Sequence, residues 1–329
     1  MDADTAQTTH PAHTPHTGHG PAGHGHGTGS GHGHGHGTGT GHGHEHLDTD
    51  IDWAALAGQL VANGELQLPV LRSAAERLRD LLGPRTGPVR ILDVGSGPGV
   101  MTCVLAEAFP GAEVVAVDGT PALLEHALER AAELGLGDRV RVRQAELPGD
   151  LAALGGADLI WSSKAVHHVG DQQGALDALA ALLRPGGVLA VAETGLPMRY
   201  LPRDLRHGRP GLQSRLDAVY EEWFEAMRTS LPGSTPVLED WTGMLGAAGL
   251  GPVGAFTALL DLPAPLGGDA RAFLLDYLTR LRDRLSGELD EADMATMALL
   301  TDPQAPEGIL HRPDAFLLSA TTVHTGVRA

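Results

Sequence analysis

Ile91-Leu92-Asp93-Val94-Gly95-Ser96-Gly97-Pro98-Gly99-Val100 is the end of a strand, a tight turn and the first residue of a helix. An apolar, β-forming run from Val89 to Val94 ends in glycines at alternate positions 95, 97 and 99, and a helical pattern from Val100 to Phe109 follows at once. Glycine supplies the positive φ of such a turn and lets a ligand approach the backbone with no Cβ in the way. The expected arrangement leaves backbone N–H groups at the helix start free to meet that ligand. A dinucleotide fingerprint, Gly-x-Gly-x-x-Gly, would place its third glycine where this chain has Val100, and no Gly-Lys-Ser/Thr of a P-loop follows.

The next landmarks come in order. Glu113 to Val117 reads as a second strand and ends in Asp118-Gly119, 23 residues past Gly95. A carboxylate at that point can accept both hydrogen bonds of a ribose diol; the other reading is a surface Asp that starts a turn. Arg139 to Arg143 is a third short strand, followed by Gln144-Ala145-Glu146-Leu147, and Asp158 to Ser163 is a fourth. Leu183-Arg184-Pro185-Gly186-Gly187 turns into a fifth strand, Val188 to Ala192. Helical patterns at 121–134 and 174–183 lie between strands, so a parallel sheet with right-handed crossovers is implied. Ligands bind outside the carboxyl ends of such strands.

Asp93-x-Gly95-x-Gly97-x-Gly99 resembles motif I of the class I S-adenosylmethionine-dependent methyltransferases, and the Leu-Arg-Pro-Gly-Gly turn is a second mark of that family. The resemblance is to the type 11/12 and ubiquinone/menaquinone biosynthesis-type group, specific over residues 89 to 193 and broader for the fold over roughly 50 to 329. It implies an α/β fold: a seven-stranded, mostly parallel Rossmann-like sheet flanked by helices, with helical lid insertions and a last strand antiparallel between the fifth and sixth. It also implies S-adenosylmethionine as cofactor, held by Asp93, Gly95, Ser96, Gly97, Gly99, Asp118, Gly119, Glu146 and Ser162. Glu146 stands where the family more often has Asp to meet the adenine amine.

The run Ser162-Ser163-Lys164-Ala165-Val166-His167-His168-Val169 resembles the family's Ser-x-x-x-x-His-His segment, where the methyl acceptor is usually touched. His167 or His168 could take a proton from an acceptor hydroxyl or amine, with His167 slightly favoured; the alternative is that both pack at the start of the next helix. Lys164 is the only lysine, the other 22 basic residues being arginine. The single cysteine, Cys103, reads as a small buried hydrophobe and argues against thiolate metal chemistry.

Residues 1–46 are a separate object with 12 of the 18 histidines, largely in Gly-His repeats. Having almost nothing apolar to bury, they are expected to be disordered. Their imidazoles, among them His24, His26, His32, His34, His36, His42, His44 and His46, could wrap around Ni²⁺, Zn²⁺ or Cu²⁺. The methyltransferase domain is expected over 47–329: N-terminal helices over 47–83, capped by Asp50 or Asp52, a cofactor-binding core over 89–193, and helical insertions at 195–235 and 265–310. Tyr220, Trp223 and Phe224 in the first insertion are candidates to line a lid over the acceptor.

The formal net charge is −18 and no basic, aromatic-interleaved stretch exists, so nucleic acid is not an expected partner. No apolar run approaches the roughly 18 residues needed to span a bilayer and no signal-type segment is present, so a soluble, cytoplasmic protein is expected. The Ala, Gly and Arg bias is compatible with a GC-rich bacterial source. The expected function is methyl transfer from S-adenosylmethionine to a small organic acceptor with an O, N or C nucleophile. Two other classes stay open: a metal-binding or metal-responsive protein working through its His-rich tail on a non-catalytic scaffold, and an NAD-type oxidoreductase.

Overall fold

The structure, a computed structural model, describes residues 52–329. The histidines proposed as metal ligands in the tail, and Asp50, lie outside the described residues. Two helices, α1 (Ala57–Leu66) and α2 (Leu68–Leu82), precede the sheet. Asp52 does not cap α1 as expected: its Oδ1 accepts the N–H of Ala55 in the turn before the helix, and α1 has Leu56 at its N-cap with no side-chain hydrogen bond. Pro69 sits in the first turn of α2, where its missing N–H costs nothing.

The core alternates β1 (Arg90–Val94), α3 (Val100–Ala108), β2 (Glu113–Asp118), α4 (Pro121–Glu133), β3 (Val140–Gln144), β4 (Ala157–Ser163), α5 (Gln172–Ala181) and β5 (Leu183–Arg199). Then come α6 (Leu212–Ser230), α7 (Trp241–Ala247), β6 (Val253–Leu262), α8 (Gly268–Arg284), α9 (Glu291–Thr301) and β7 (Leu317–Val327). One seven-stranded sheet results, in the order β3-β2-β1-β4-β5-β7-β6, with β7 antiparallel to both neighbours and the other pairings parallel. This is the topology the resemblance implies.

Helices cover both faces, which is why the inner parallel strands β1, β2 and β4 are buried at nearly every position, while the edge strand β3 alternates Val with Arg. Ile91, Val114, Leu159 and Val188 enter one core with α2 and α3; Leu92, Val115, Ile160 and Leu189, one residue on, enter the other with α5 and α7. The alternation follows from the two-residue period of a strand. α3 is buried from Val100 to Ala106 without a polar face, so it lies inside the layer.

One expectation is corrected here. The fifth strand does not stop at Ala192 but continues, with two irregularities, to Arg199, pairing with β7 as far as Arg199↔Leu318. The first insertion therefore begins at Tyr200. Pairing with β4 ends at Ser163↔Ala192, so the extension has one unpaired edge, and there Pro197 removes no ladder hydrogen bond. The extended β5-β7-β6 ribbon carries a third core, in which Tyr200, Leu212, Leu216, Phe273, Leu274, Leu278 and Met297 bring α6, α8 and α9 together.

Candidate active site

A cleft of about 430 Å³ opens at the carboxyl ends of β1, β2 and β4. Its floor carries Asp93, Gly95, Ser96, Gly97, Asp118, Gly119, Ala145 and Glu146; Trp161, Ser163, Lys164, Ala165 and His168 form the β4 side. Trp53, Leu60, Asn63 and Gln67 of the N-terminal segment and Val70, Leu71 and Ala74 of α2 wall it opposite, and Thr321 and Val323 of β7 close one end. The volume suits a small-molecule ligand. A second hollow of about 350 Å³, between α1, α2, α3 and α4, is bridged by Arg130–Glu65 at 2.5 Å and contains none of the glycine turn.

The glycine turn is internally satisfied. The N–H groups of Gly95 and Ser96 both donate to Val117 O (2.8 and 3.0 Å), that of Gly97 donates to Asp118 Oδ2 (2.9 Å), and that of Gly99 donates to Ser96 O (3.1 Å). Pro98 has none to give. The expectation of free backbone donors is thus corrected for residues 95–99. The turn itself offers a ligand close approach and a carboxylate, its own N–H groups being already committed. At Gly95, with φ +72°, a Cβ would collide with Ala165, so the turn and the segment after β4 touch only because this residue is glycine.

Asp118 ends β2 as expected. Besides Gly97, its Oδ1 accepts the N–H of Thr120 (2.9 Å), so each oxygen holds one backbone donor and keeps lone-pair capacity for another. Glu146 lies exposed on the same side, its carboxylate packed over Gly119. Asp93 is 2% exposed beneath the turn, where Thr102 Oγ1 donates to its Oδ2 at 2.6 Å. Burial pushes its carboxyl up to about 7, with Asp118 adding to the rise and the Thr102 hydrogen bond opposing it.

Two of the residues expected to bind cofactor do not line the described cleft. Gly99 is absent from the cleft wall: with φ +78°, its missing Cβ is what lets α4 approach, since a Cβ would sit 2.8 Å from Ala127 Cα. Ser162 is fully buried, its Oγ has no partner among the described residues, and its neighbours Trp161 and Ser163 line the cleft instead. Strand alternation accounts for this, because Ser162 shares a face with Ile160 in the α5–α7 core.

The histidines divide. His168 lines the cleft, edge-on to Trp53 at 5.1 Å. Burial, with His167 and Arg228 adding to it, holds its imidazole down at about 4, so it is neutral at physiological pH. His167 sits behind it, ring centroids 4.2 Å apart, and against Phe224 at 5.5 Å. Its Nδ1 meets Glu193 Oε2 at 2.6 Å, and Glu193 Oε1 accepts the N–H groups of Ala165 and Val166, both at 2.9 Å. The Glu193 side chain is wholly buried. Arg228 of α6 caps the turn by donating to the carbonyls of His167 (2.6 Å) and Val169 (2.7 Å). Sequence reasoning missed Glu193 and Arg228; neither lies in a motif, and both matter through long-range contact. Tyr220, Trp223 and Phe224 do not line the described cleft: Tyr220 packs beside Trp223, and Arg284 lies over the Trp223 ring.

The methyltransferase-domain family matches residues 92–189. A trans-aconitate 2-methyltransferase of Streptomyces avermitilis is 32% identical over 246 residues, covering 65% of this chain and 86% of that protein. The chain belongs to the class I S-adenosylmethionine-dependent methyltransferases. A second relative in this family, the trans-aconitate 2-methyltransferase of Methylobacterium radiotolerans, is 37% identical over 122 residues, 36% of this chain and 43% of that protein. The chain spans less than half the length of the first curated relatives it matches, 26% to 43%. The solved structure of a geranyl diphosphate methyltransferase overlaps 78% of this chain and 85% of its own at 19% identity and a TM-score of 0.41. Among the described residues of this family member, no helix is long and apolar enough to cross a membrane, and no cluster of three His, Cys, Asp or Glu is arranged to hold a metal ion.

Proposed function

We propose that this protein transfers a methyl group from S-adenosylmethionine to a small organic acceptor with an O, N or C nucleophile. The observation that carries the reading is the glycine turn with its N–H groups satisfied around Asp118, a site that offers close approach and a diol-accepting carboxylate. Against the NAD-type oxidoreductase stands Val100, which occupies the position of the third glycine of the dinucleotide fingerprint.

When bound, S-adenosylmethionine supplies a sulfonium methyl already activated for displacement. The protein's task is then to hold the nucleophile in line and keep water out. In this reading Asp118 accepts from the ribose diol and Glu146 from the adenine amine, over the floor made by Gly95, Ser96, Gly97 and Gly119. Asp93 braces the turn from below, and α1 and α2 exclude water from above. For a nucleophile that must lose a proton, His167 is the residue with a carboxylate partner, although it stands behind His168 and outside the cleft lining, so the acceptor must reach past His168 to meet it. Glu193 fixes the proton on its Nδ1, which leaves Nε2 as the basic lone pair with no hydrogen-bond partner among the described residues. His168, neutral and on the cleft wall, serves as packing surface beside Trp53.

The test is release of S-adenosylhomocysteine when the full chain and S-adenosylmethionine are incubated with a panel of small organic acceptors, organic acids among them because relatives are named for trans-aconitate. Acceptor-dependent release supports the proposal. No release with any acceptor, together with NAD(H) binding, would favour the oxidoreductase.

A further inference from the structure

Lys164 follows β4 directly and lines the cleft. Its backbone is left-handed, φ +51°, a conformation rarely adopted by a residue with a long side chain, and it is held there by its N–H donating to Ala192 O at 3.1 Å. The ammonium makes no ion pair or hydrogen bond among the described residues. The nearby carboxylate that could neutralise it, Glu193, is already committed to Ala165, Val166 and His167. Water reaches Lys164 through the open cleft, yet protein surrounds it closely enough that desolvation lowers its pKa, against the pull of Glu193. The cleft's acids that reach solvent lie elsewhere: half-buried Asp118 ends β2, two strands away in the order β2-β1-β4, or about 10 Å at the usual strand spacing, and exposed Glu146 lies beyond it.

A cation held in a costly backbone conformation and left without a partner calls for an anion from outside the chain. That need is sharper if a sulfonium is to sit between Lys164 and Asp118. We propose that Lys164 is a carboxylate-binding residue at the β4 end of the cleft, opposite the diol-binding Asp118. The inference rests on the methyl-transfer reading above. Two ligands could bring the carboxylate: the methionyl end of S-adenosylmethionine, or an acidic acceptor.

Calorimetric titration of the full chain separates them, using wild type, Lys164→Gln and Lys164→Arg with S-adenosylmethionine and with its decarboxylated analogue. Lys164→Asn is a second variant, because Asn accepts a left-handed backbone readily and guards against a folding artefact. If the carboxylate is the cofactor's, Lys164→Gln and Lys164→Asn weaken S-adenosylmethionine at least tenfold, leave the decarboxylated analogue within twofold, and Lys164→Arg restores most of the loss. If it is the acceptor's, both cofactors bind all variants within twofold. The rise in melting temperature that short di- and tricarboxylates give the S-adenosylhomocysteine complex of wild type is then lost in Lys164→Gln and Lys164→Asn. Equal weakening of both cofactors, or no change in any of these readouts, overturns the assignment. Wild type that binds neither cofactor overturns the underlying reading as well, whereas wild type that binds while the variants are unchanged overturns this inference alone.

Discussion

Asp93 is a buried carboxyl that the fold keeps near neutrality's edge. Its value rises from the ordinary 3.8 to about 7, chiefly through burial. Between those two values the folded protein retains a proton that the unfolded chain releases, so stability falls as pH rises across that window. Asp93→Asn keeps the shape and the Thr102 hydrogen bond but removes the titration. Urea melts of the cofactor-free protein should show little difference near pH 4 and roughly 4 kcal/mol in favour of Asp93→Asn near pH 8. A difference that does not change with pH would contradict this account of the site. His167 and Glu193 form the other residue-level device. His167→Asn should lower kcat about 100-fold on an acceptor that must lose a proton, with S-adenosylmethionine affinity unchanged. Glu193→Gln should lower kcat in the same direction, and the double variant should be no worse than His167→Asn, because one residue acts through the other. Additive losses would separate them. None of this was legible from Glu193 itself, a single acid just past an apolar strand; only folding sets it 2.6 Å from His167.

At the scale of elements, the strand-turn-helix at 90–108 explains how the site is held. Gly99 joins α3 to α4 by close approach, so Gly99→Ala should cost both the left-handed φ and the overlap with Ala127. A loss of roughly 2–4 kcal/mol in a thermal or denaturant melt is expected, with no direct change at the cleft wall. A neutral substitution would show that the helices can move apart freely. The core strands were legible because their apolar runs are bounded by glycines and by helices of clear period. The extension of β5 was not: Gly195 and Pro197 are loop residues by propensity, and only pairing with β7 makes them strand. The cleft-lining residues after β1, β2 and β3 were legible by spacing, whereas the facing of Ser162 depended on strand parity at the sheet's end.

At the scale of the whole molecule, the sheet order β3-β2-β1-β4-β5-β7-β6 gathers Asp118, the glycine turn and Lys164 along one rim, while α6, α8 and α9 build a separate core on the β5-β7-β6 ribbon. The topology followed from the order of strands and helices; the packing of the insertions did not, since an apolar stripe fits a core as well as a lid. Every residue assigned to the proposed chemistry lies within the described residues 52–329. A chain lacking residues 1–46 should bind S-adenosylmethionine within twofold of the full protein in calorimetry, while losing its capacity for Ni²⁺ or Zn²⁺. Loss of cofactor binding on deletion would make the tail part of the site.

The central claim is that this cleft binds S-adenosylmethionine through Asp118, and calorimetric titration of wild type and Asp118→Ala tests it most directly. Wild type should bind one equivalent, and Asp118→Ala should bind at least tenfold more weakly, about 1.4 kcal/mol. Absence of binding to wild type, or equal affinity in both proteins, would contradict the account.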